Sequence, residues 1–129
     1  MSSRPNEMDG PKLTLLLLPG PYAVCRLPPD APTPDWAYGE FVSVTRTAEE
    51  LSVVCEERGV PESVQCERGW RCFKVQGPLD FSLVGVLASL LAPLAEAGIP
   101  VFTVSTYDTD YILVREGDVE RAAEAMSQR

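Results

Sequence analysis

The pattern of hydrophobic and polar positions is clearest in residues 77–114. Apolar side chains recur there at helical spacing through residues 81–97, which predicts a helix too apolar for an exposed surface. Gly98 ends this helix. Two apolar segments at residues 101–105 and 111–115 then predict two strands that are joined by a polar turn.

A strand at residues 70–76 precedes this helix, and a last short helix is predicted at residues 119–127. A helix that crosses between two strands of one sheet makes them parallel, with a right-handed crossover. The carboxyl ends of the strands at residues 70–76 and 101–105 therefore lie at the same edge of the sheet. This places the helix start, residues 77–82, beside the polar turn at residues 106–110.

The N-terminal half predicts three strands and one helix. Apolar residues 13–18 and 22–27 indicate two strands, and the Pro-Gly pair between them predicts a tight turn that reverses the chain. Residues 41–45 alternate as a third strand. The capping box Thr47-Ala-Glu-Glu50 then predicts a helix over residues 48–58.

These elements predict an α+β fold of two fused modules, with antiparallel sheets covered by helices on one face. The boundary is expected near residues 62–69, where a short strand is predicted at residues 64–67. We therefore assign residues 1–11 to a disordered tail, residues 12–66 to an N-terminal module and residues 67–129 to a C-terminal module.

The helix start and the polar turn carry complementary polar groups. Free backbone N–H groups at a helix start suit a carboxylate, whereas polar side chains of the turn can meet an ammonium group or hydroxyls. The side chains concerned are Ser105, Thr106, Asp108 and Asp110. An anion site beside a cation site is what a free amino acid requires. The alternative is structural, because Asp is common in turns and Asp80 or Ser82 can cap a helix.

Composition excludes several classes of function. The formal net charge is -8, with 11 basic and 19 acidic residues. Because the basic residues are scattered, neither nucleic acid nor an anionic membrane surface is expected as a partner. The chain has no histidine, which removes the commonest general base and the commonest transition-metal ligand. We expect no metal and no cofactor.

The four cysteines are Cys25, Cys55, Cys66 and Cys72, and no two of them form a Cys-x-x-Cys pair. Reduced thiols are expected, and a bridge between Cys66 and Cys72 across a turn is the alternative. The apolar run at residues 13–18 is too short to span a membrane, and it lacks the basic segment and cleavage site of a signal peptide. A cytoplasmic protein is therefore expected.

Residues 81–114 resemble an ACT domain. The motifs that carry the resemblance are Pro78-Leu-Asp-Phe81, Val84-Gly-Val-Leu-Ala88, Leu91-Ala-Pro-Leu-Ala95, Gly98-Ile99 and Val104-Ser-Thr-Tyr-Asp-Thr-Asp-Tyr-Ile-Leu-Val114. They are most similar to the ACT modules of aspartate kinases and CASTOR-type arginine sensors, and the first half resembles small two-module bacterial proteins of this kind. The resemblance implies a ferredoxin-like ACT fold and a regulatory module that binds a free amino acid at an interface between ACT modules.

The resemblance also implies a set of ligand-facing residues. Carried over by position, these are Asp80, Phe81, Leu83, Val86, Thr106, Tyr107 and Asp110. The arginine sensors have an acidic residue where this chain has Leu83, so the resemblance favours an apolar or small amino acid over arginine. A homodimer is implied as well. The alternative function is a protein–protein interaction or dimerisation module that binds no ligand.

No catalytic residues are assigned. Tyr107, Asp108 and Asp110 could transfer protons, but no nucleophile has an evident base. The chain also has no glycine-rich loop of the kind that cradles phosphates. We therefore expect no enzymatic activity.

Overall fold

The fold is known from a computed structural model, which describes residues 13–76 and 85–127. Its strands are β1 (Leu15–Leu17), β2 (Tyr22–Leu27), β3 (Ser43–Arg46), β4 (Leu51–Glu56), β5 (Gln65–Val75), β6 (Val101–Ser105) and β7 (Asp110–Arg115). Its helices are α1 (Val86–Glu96) and α2 (Val119–Ser127), and short 3-10 turns occupy Glu57–Gly59 and Glu116–Asp118. Neither helix of these described ranges has the length and apolar character needed to cross a membrane.

The strands form one antiparallel sheet with the order β3-β4-β2-β5-β7-β6, and β1 pairs with β5 as well. The long strand β5 pairs with β1 and β2 along one edge and with β7 along the other. Strands from both halves of the chain therefore share a single sheet. The order strand, helix, strand, strand, helix in the C-terminal half confirms the expected ferredoxin-like α+β architecture.

The predicted hairpin of β1 and β2 is wrong. Both strands pair antiparallel with β5, because Leu17 stands opposite Phe73 and Tyr22 stands opposite Trp70. The chain between them bends at Gly20, whose φ is 77°, and then continues in the same direction. The prolines on either side of Gly20 have no N–H for a sheet ladder, so they interrupt the pairing without reversing the chain.

The predicted helix at residues 48–58 is also wrong, because this segment forms β4 and a 3-10 turn. The Thr47 hydroxyl accepts hydrogen bonds from the N–H groups of Glu49 at 3.1 Å and Glu50 at 3.2 Å. This is the local bonding expected of a helix cap, and here it closes the hairpin between β3 and β4. Pairing with β2 and β3 on both edges gives the backbone of β4 its remaining hydrogen bonds.

A bulge joins the two strands predicted at residues 64–67 and 70–76 into the single strand β5. One residue of β2, Ala23, faces two residues of β5, Arg68 and Gly69, since Val24 pairs with Glu67 and Tyr22 pairs with Trp70. Gly69 lies at this point with φ of 81°, a conformation that glycine adopts without strain. The extra residue reverses the alternation of side chains, so Glu67 and Trp70 lie on the same face of the sheet.

Two helices cover one face of the C-terminal half, as predicted. Side chains of α1 and α2 pack there against the inner residues of β5 and β7. The buried members of this cluster are Phe73, Val75, Leu90, Leu94, Ile99, Ile112, Val114, Ala122 and Met126. Each large aliphatic side chain buried in this way contributes about 1.5–3 kcal/mol.

In the N-terminal half a loop takes the place of the helical cover that was predicted. Ala31, Trp36 and Ala37 belong to this loop, and they pack on residues of β2 and β4. The buried residues beneath them are Ala23, Cys25, Leu51, Val53 and Cys55, with Val60 beside them. The prolines of the loop suit this role, because they hold an irregular path at a low entropic cost.

Helix α1 begins later than predicted. It starts at Val86, and Gly85 before it has φ of 80°, so the helix does not include Gly85. Residues 81–84 of the predicted helix lie outside the described residues. No described atom lies within 4 Å of a Cβ placed on Gly85, so its backbone conformation explains the glycine better than close packing does. Helix α2 has the predicted limits of Val119 and Ser127.

Candidate functional site

The polar turn between β6 and β7 is closed by its two threonines. The Thr106 N–H donates to the Thr109 carbonyl at 2.8 Å, and the Thr106 hydroxyl donates to the same carbonyl at 3.2 Å. In return, the Thr109 N–H donates to Thr106 Oγ1 at 3.3 Å. A hydroxyl that both donates and accepts is needed for this arrangement, so the Thr106 side chain stabilises the shape of the turn.

The Thr109 side chain attaches the turn to β5. Its hydroxyl donates to the Val75 carbonyl at 2.6 Å, and the residue is 5% exposed. Strand β7 is antiparallel to both β5 and β6, so β5 and β6 run parallel, as the sequence predicted. The carboxyl end of β5 and the polar turn therefore lie at the same edge of the sheet.

Asp110 is the first residue of β7 and lies beside this turn. Its Oδ1 accepts a hydrogen bond from the Ser105 hydroxyl at 2.5 Å, and the two residues stand opposite each other at the ends of β6 and β7. Its second oxygen, Oδ2, accepts no hydrogen bond from the described parts of the chain. Such a carboxylate can bind a cationic donor, for example an ammonium group.

The structure places Val86 at the start of α1. The Ser89 N–H donates to the Gly85 carbonyl at 2.8 Å, which begins the helical ladder. The amides that precede Ser89 are at the positive end of the helix dipole and suit an anion. Asp80, Phe81 and Leu83, with the cap candidate Ser82, lie outside the described residues.

Tyr107 lies at the tip of the turn and is 82% exposed. Asp108 beside it is exposed as well. A tyrosine ring has a large apolar area, and such rings are enriched at protein interfaces.

The sequence analysis missed Thr109, the residue that connects the turn to β5. Threonine is common in turns, and no local pattern distinguishes a solvated hydroxyl from a buried one. The apolar residues of β5 and β7 surround this position only after the sheet forms. The available signal was the expectation that the turn meets the end of β5, where an unpaired carbonyl needs a donor.

The thiols do not form the bridge that was considered between Cys66 and Cys72. All four cysteines are free, and the bulge places Cys66 and Cys72 in clusters on opposite faces of β5. Burial raises the pKa of Cys72 to about 12. A hydrogen bond with Cys55 raises the pKa of Cys25, and the same bond lowers the pKa of Cys55. Within residues 13–76 and 85–127, no three His, Cys, Asp or Glu side chains are grouped to hold a metal ion.

Comparison with known families matches residues 65–128 to the ACT domain. This chain is an ACT-domain protein. The match contains the turn, Asp110 and both helices, so the elements that form the candidate site belong to the ACT domain. A second family description, that of an N-terminal domain, matches residues 20–63.

Two curated relatives of this ACT-domain protein match more than half of the chain. It is 33% identical over 91 residues to the cytosolic arginine sensor for mTORC1 subunit 1 of Bos taurus, covering 62% of this chain and 28% of the sensor. It is 32% identical over 101 residues to the human putative protein CASTOR3P, covering 68% of this chain and 62% of that protein. The chain thus spans less than two thirds of the length of either relative.

Solved structures share the fold across most of the ACT-domain protein. A crystal structure from Agobacterium tumefaciens has a TM-score of 0.86 and 42% identity, and the match covers 92% of this chain and 90% of that one. Aspartate kinase of Clostridium acetobutylicum has a TM-score of 0.60 and 12% identity, covering 87% of this chain and 33% of the kinase. The likeness to the kinase shows the fold alone.

Proposed function

We propose that this protein is a non-catalytic regulatory module that binds a free amino acid at an interface between ACT modules. The observation that carries the proposal is the hydrogen bond from Thr109 to Val75, 2.6 Å long and buried. This bond holds the turn with Thr106, Tyr107 and Asp110 at the end of β5, where the chain enters residues 77–84. The ACT family and the name of the bovine relative, an arginine sensor, support the same function.

In the proposed complex, Asp110 receives the ammonium group of the amino acid. Its Oδ1 is already held by Ser105, so the carboxylate is oriented before the ligand arrives. Preorganisation of this kind lowers the entropic cost of binding. The amides at the start of α1, near Val86, receive the carboxylate of the ligand.

The remaining proposed contacts are Asp80, Phe81, Leu83 and Thr106, as the resemblance implies. Leu83 favours a small or apolar amino acid over arginine. The exposed Tyr107 is covered by a second copy of the chain in a homodimer, so that the interface completes the site. The name of the bovine relative also supports a cytoplasmic location for this protein.

A thermal-shift screen with the twenty amino acids tests the proposal. A ligand at a hundred times its Kd stabilises the folded state by about 2.7 kcal/mol. We expect at least one small or apolar amino acid to raise the Tm. Absence of a shift at millimolar concentration with every amino acid would count against sensing, and a dimer without any ligand response would favour the interaction module.

Substitutions in the turn locate the binding site. Asp110→Ala removes the proposed ammonium acceptor, so we expect it to abolish the shift. Asp110→Asn keeps a side-chain oxygen for Ser105 but loses the charge, and it should weaken the shift as well. Asp108→Ala is the matched control, because it removes the same charge from an exposed position two residues away. An unchanged shift in Asp110→Ala would place the ligand elsewhere.

A further inference from the structure

The curled sheet has a cleft on the face opposite the helices. It encloses about 720 Å³, which is the size of typical small-molecule sites. Residues of β2, β3, β4, β5 and β6 line it, and Thr106, Tyr107 and Asp110 are not among the described residues that do. The cleft is therefore separate from the proposed amino-acid site.

The register of four strands places a row of polar side chains along this cleft. Thr45 pairs with Ser52, Ser52 pairs with Arg26, and Arg26 pairs with Gln65. Residues directly opposite each other on antiparallel strands project from the same face, and all four line the cleft. This polar row surrounds one guanidinium with hydroxyl and amide donors, a combination that suits the binding of a carboxylate.

The next row of the sheet has an apolar centre. Val54 pairs with Val24 two residues away from Ser52 and Arg26, and both valines line the cleft. Phe102 and Val104 of β6 line the cleft as well. A ligand whose carboxylate lies on the polar row therefore has apolar surface available for the rest of the molecule.

The present partners of Arg26 can be exchanged for a ligand at low cost. Its Nε lies 3.9 Å from Glu50 Oε1, and the two side chains are 51% and 41% exposed. Its Nη2 donates to the Glu49 carbonyl at 3.0 Å, and this hydrogen bond is exposed to solvent as well. Exposed ion pairs of this kind contribute little to stability. Glu67 also lines the cleft, but its carboxylate is already neutralised by Arg115 at 2.6 Å. Among the described residues that line the cleft, Arg26 is thus the positive charge that a carboxylate can bind.

We propose that this cleft binds a small monocarboxylate with an apolar body, whose carboxylate pairs with Arg26 in the polar row. The apolar body packs on Val24, Val54 and Phe102. Glu50 competes with the ligand for the guanidinium and so lowers the affinity. The site needs no second copy of the chain and does not depend on the proposed amino-acid function.

Isothermal titration calorimetry with 3-phenylpropionate and its amide, 3-phenylpropanamide, tests the proposal. The two probes have the same apolar body, and only the acid carries a charge at pH 7. We expect the acid to bind more tightly than the amide. Arg26→Gln should weaken binding of the acid by roughly 10- to 100-fold, since a hydrogen bond to a charged group is lost. Glu50→Gln should tighten it by about 2- to 5-fold, because the competing carboxylate is removed.

Arg46→Gln is the matched control, and we expect it to bind the acid like the wild type. It removes the same charge from β3, but Arg46 points to the opposite face from Thr45 and donates to the Pro29 carbonyl. Equal affinity for acid and amide, no binding of the acid at millimolar concentration, or an unchanged affinity in Arg26→Gln would overturn the proposal. If Arg26→Gln does not fold, the affinity of Glu50→Gln for the acid tests the proposal instead. An unchanged affinity in Glu50→Gln would show that Glu50 does not compete with the ligand for Arg26, which contradicts the proposed site.

Discussion

The substitution Thr109→Val tests how the polar turn is held to the sheet. Valine has nearly the shape of threonine, so the packing around this buried position is kept. The change removes the hydroxyl that donates to the Val75 carbonyl at 2.6 Å. The backbone bonds of Thr109 with Thr106 do not use this hydroxyl, so they remain.

The expected loss follows from the burial of this hydrogen bond. Thr109 is 5% exposed and Val75 is 0% exposed, so water cannot easily replace the missing donor. A buried acceptor that is left without a partner costs about 1–3 kcal/mol. For a domain of this size, that loss corresponds to a decrease in Tm of roughly 3–12 °C.

Urea unfolding followed by circular dichroism measures the change in the free energy of unfolding. Thr109→Ser keeps the hydroxyl and should recover most of the stability, whereas Thr103→Val on β6 is a control without a side-chain hydrogen bond among the described residues. A loss below about 0.5 kcal/mol in Thr109→Val, the size of an ordinary surface substitution, would refute the assigned role. The same variant should also weaken any amino-acid shift, because the turn with Asp110 is released from β5.

Two further substitutions and one labelling experiment test the fold. Tyr22→Phe removes the hydroxyl that accepts the Phe41 N–H at 3.3 Å and should cost about 1–2 kcal/mol at neutral pH. Burial raises the pKa of Tyr22 to about 12 from 10.0, so the stability from the neutral phenol is present below pH 10 and declines towards pH 12. Urea unfolding should therefore show that the difference in free energy of unfolding between wild type and Tyr22→Phe narrows over this pH range. A constant difference would contradict the raised pKa. Cys66 is partly exposed, while the other three cysteines are at most 2% exposed. Mass spectrometry after maleimide labelling should therefore find one adduct in the native protein and four after unfolding. Two rapid adducts in the native protein would contradict the burial of the other thiols. Gly69→Ala should lower the free energy of unfolding by about 1–2 kcal/mol, because the φ of Gly69 is 81° and a side chain is strained in that conformation. Gly117→Ala has open space around its Cβ and should lower the stability much less in thermal unfolding.

Much of the C-terminal half follows from local sequence. The strand at residues 101–105 and the helix at residues 119–127 have the limits that the pattern predicts. Both segments have one clear period of apolar residues, and Gly98 and Pro100 separate the first from the helix before it. The parallel arrangement of β5 and β6 also follows from the order of elements, so the position of the turn was predictable.

The N-terminal half shows where local sequence is ambiguous. Leu51, Val54 and Cys55 have the spacing of a helix, while Leu51, Val53 and Cys55 have the spacing of a strand. Thr47 makes the same local hydrogen bonds before either element. The neighbouring strands β2 and β3 decide the outcome, because they form hydrogen bonds with both edges of β4. The loop between β2 and β3 then covers the inner face of β4.

The sequence by itself determined the family, the helical face of the C-terminal half and the neighbourhood of the turn and the end of β5. Tertiary structure decided which groups meet at atomic distance. The bond from Thr109 to Val75 and the polar row around Arg26 join residues that are distant in the chain, and the bulge at Gly69 determines which face Trp70 occupies. Local patterns carry no information on strand register, and register decides which side chains of neighbouring strands lie together.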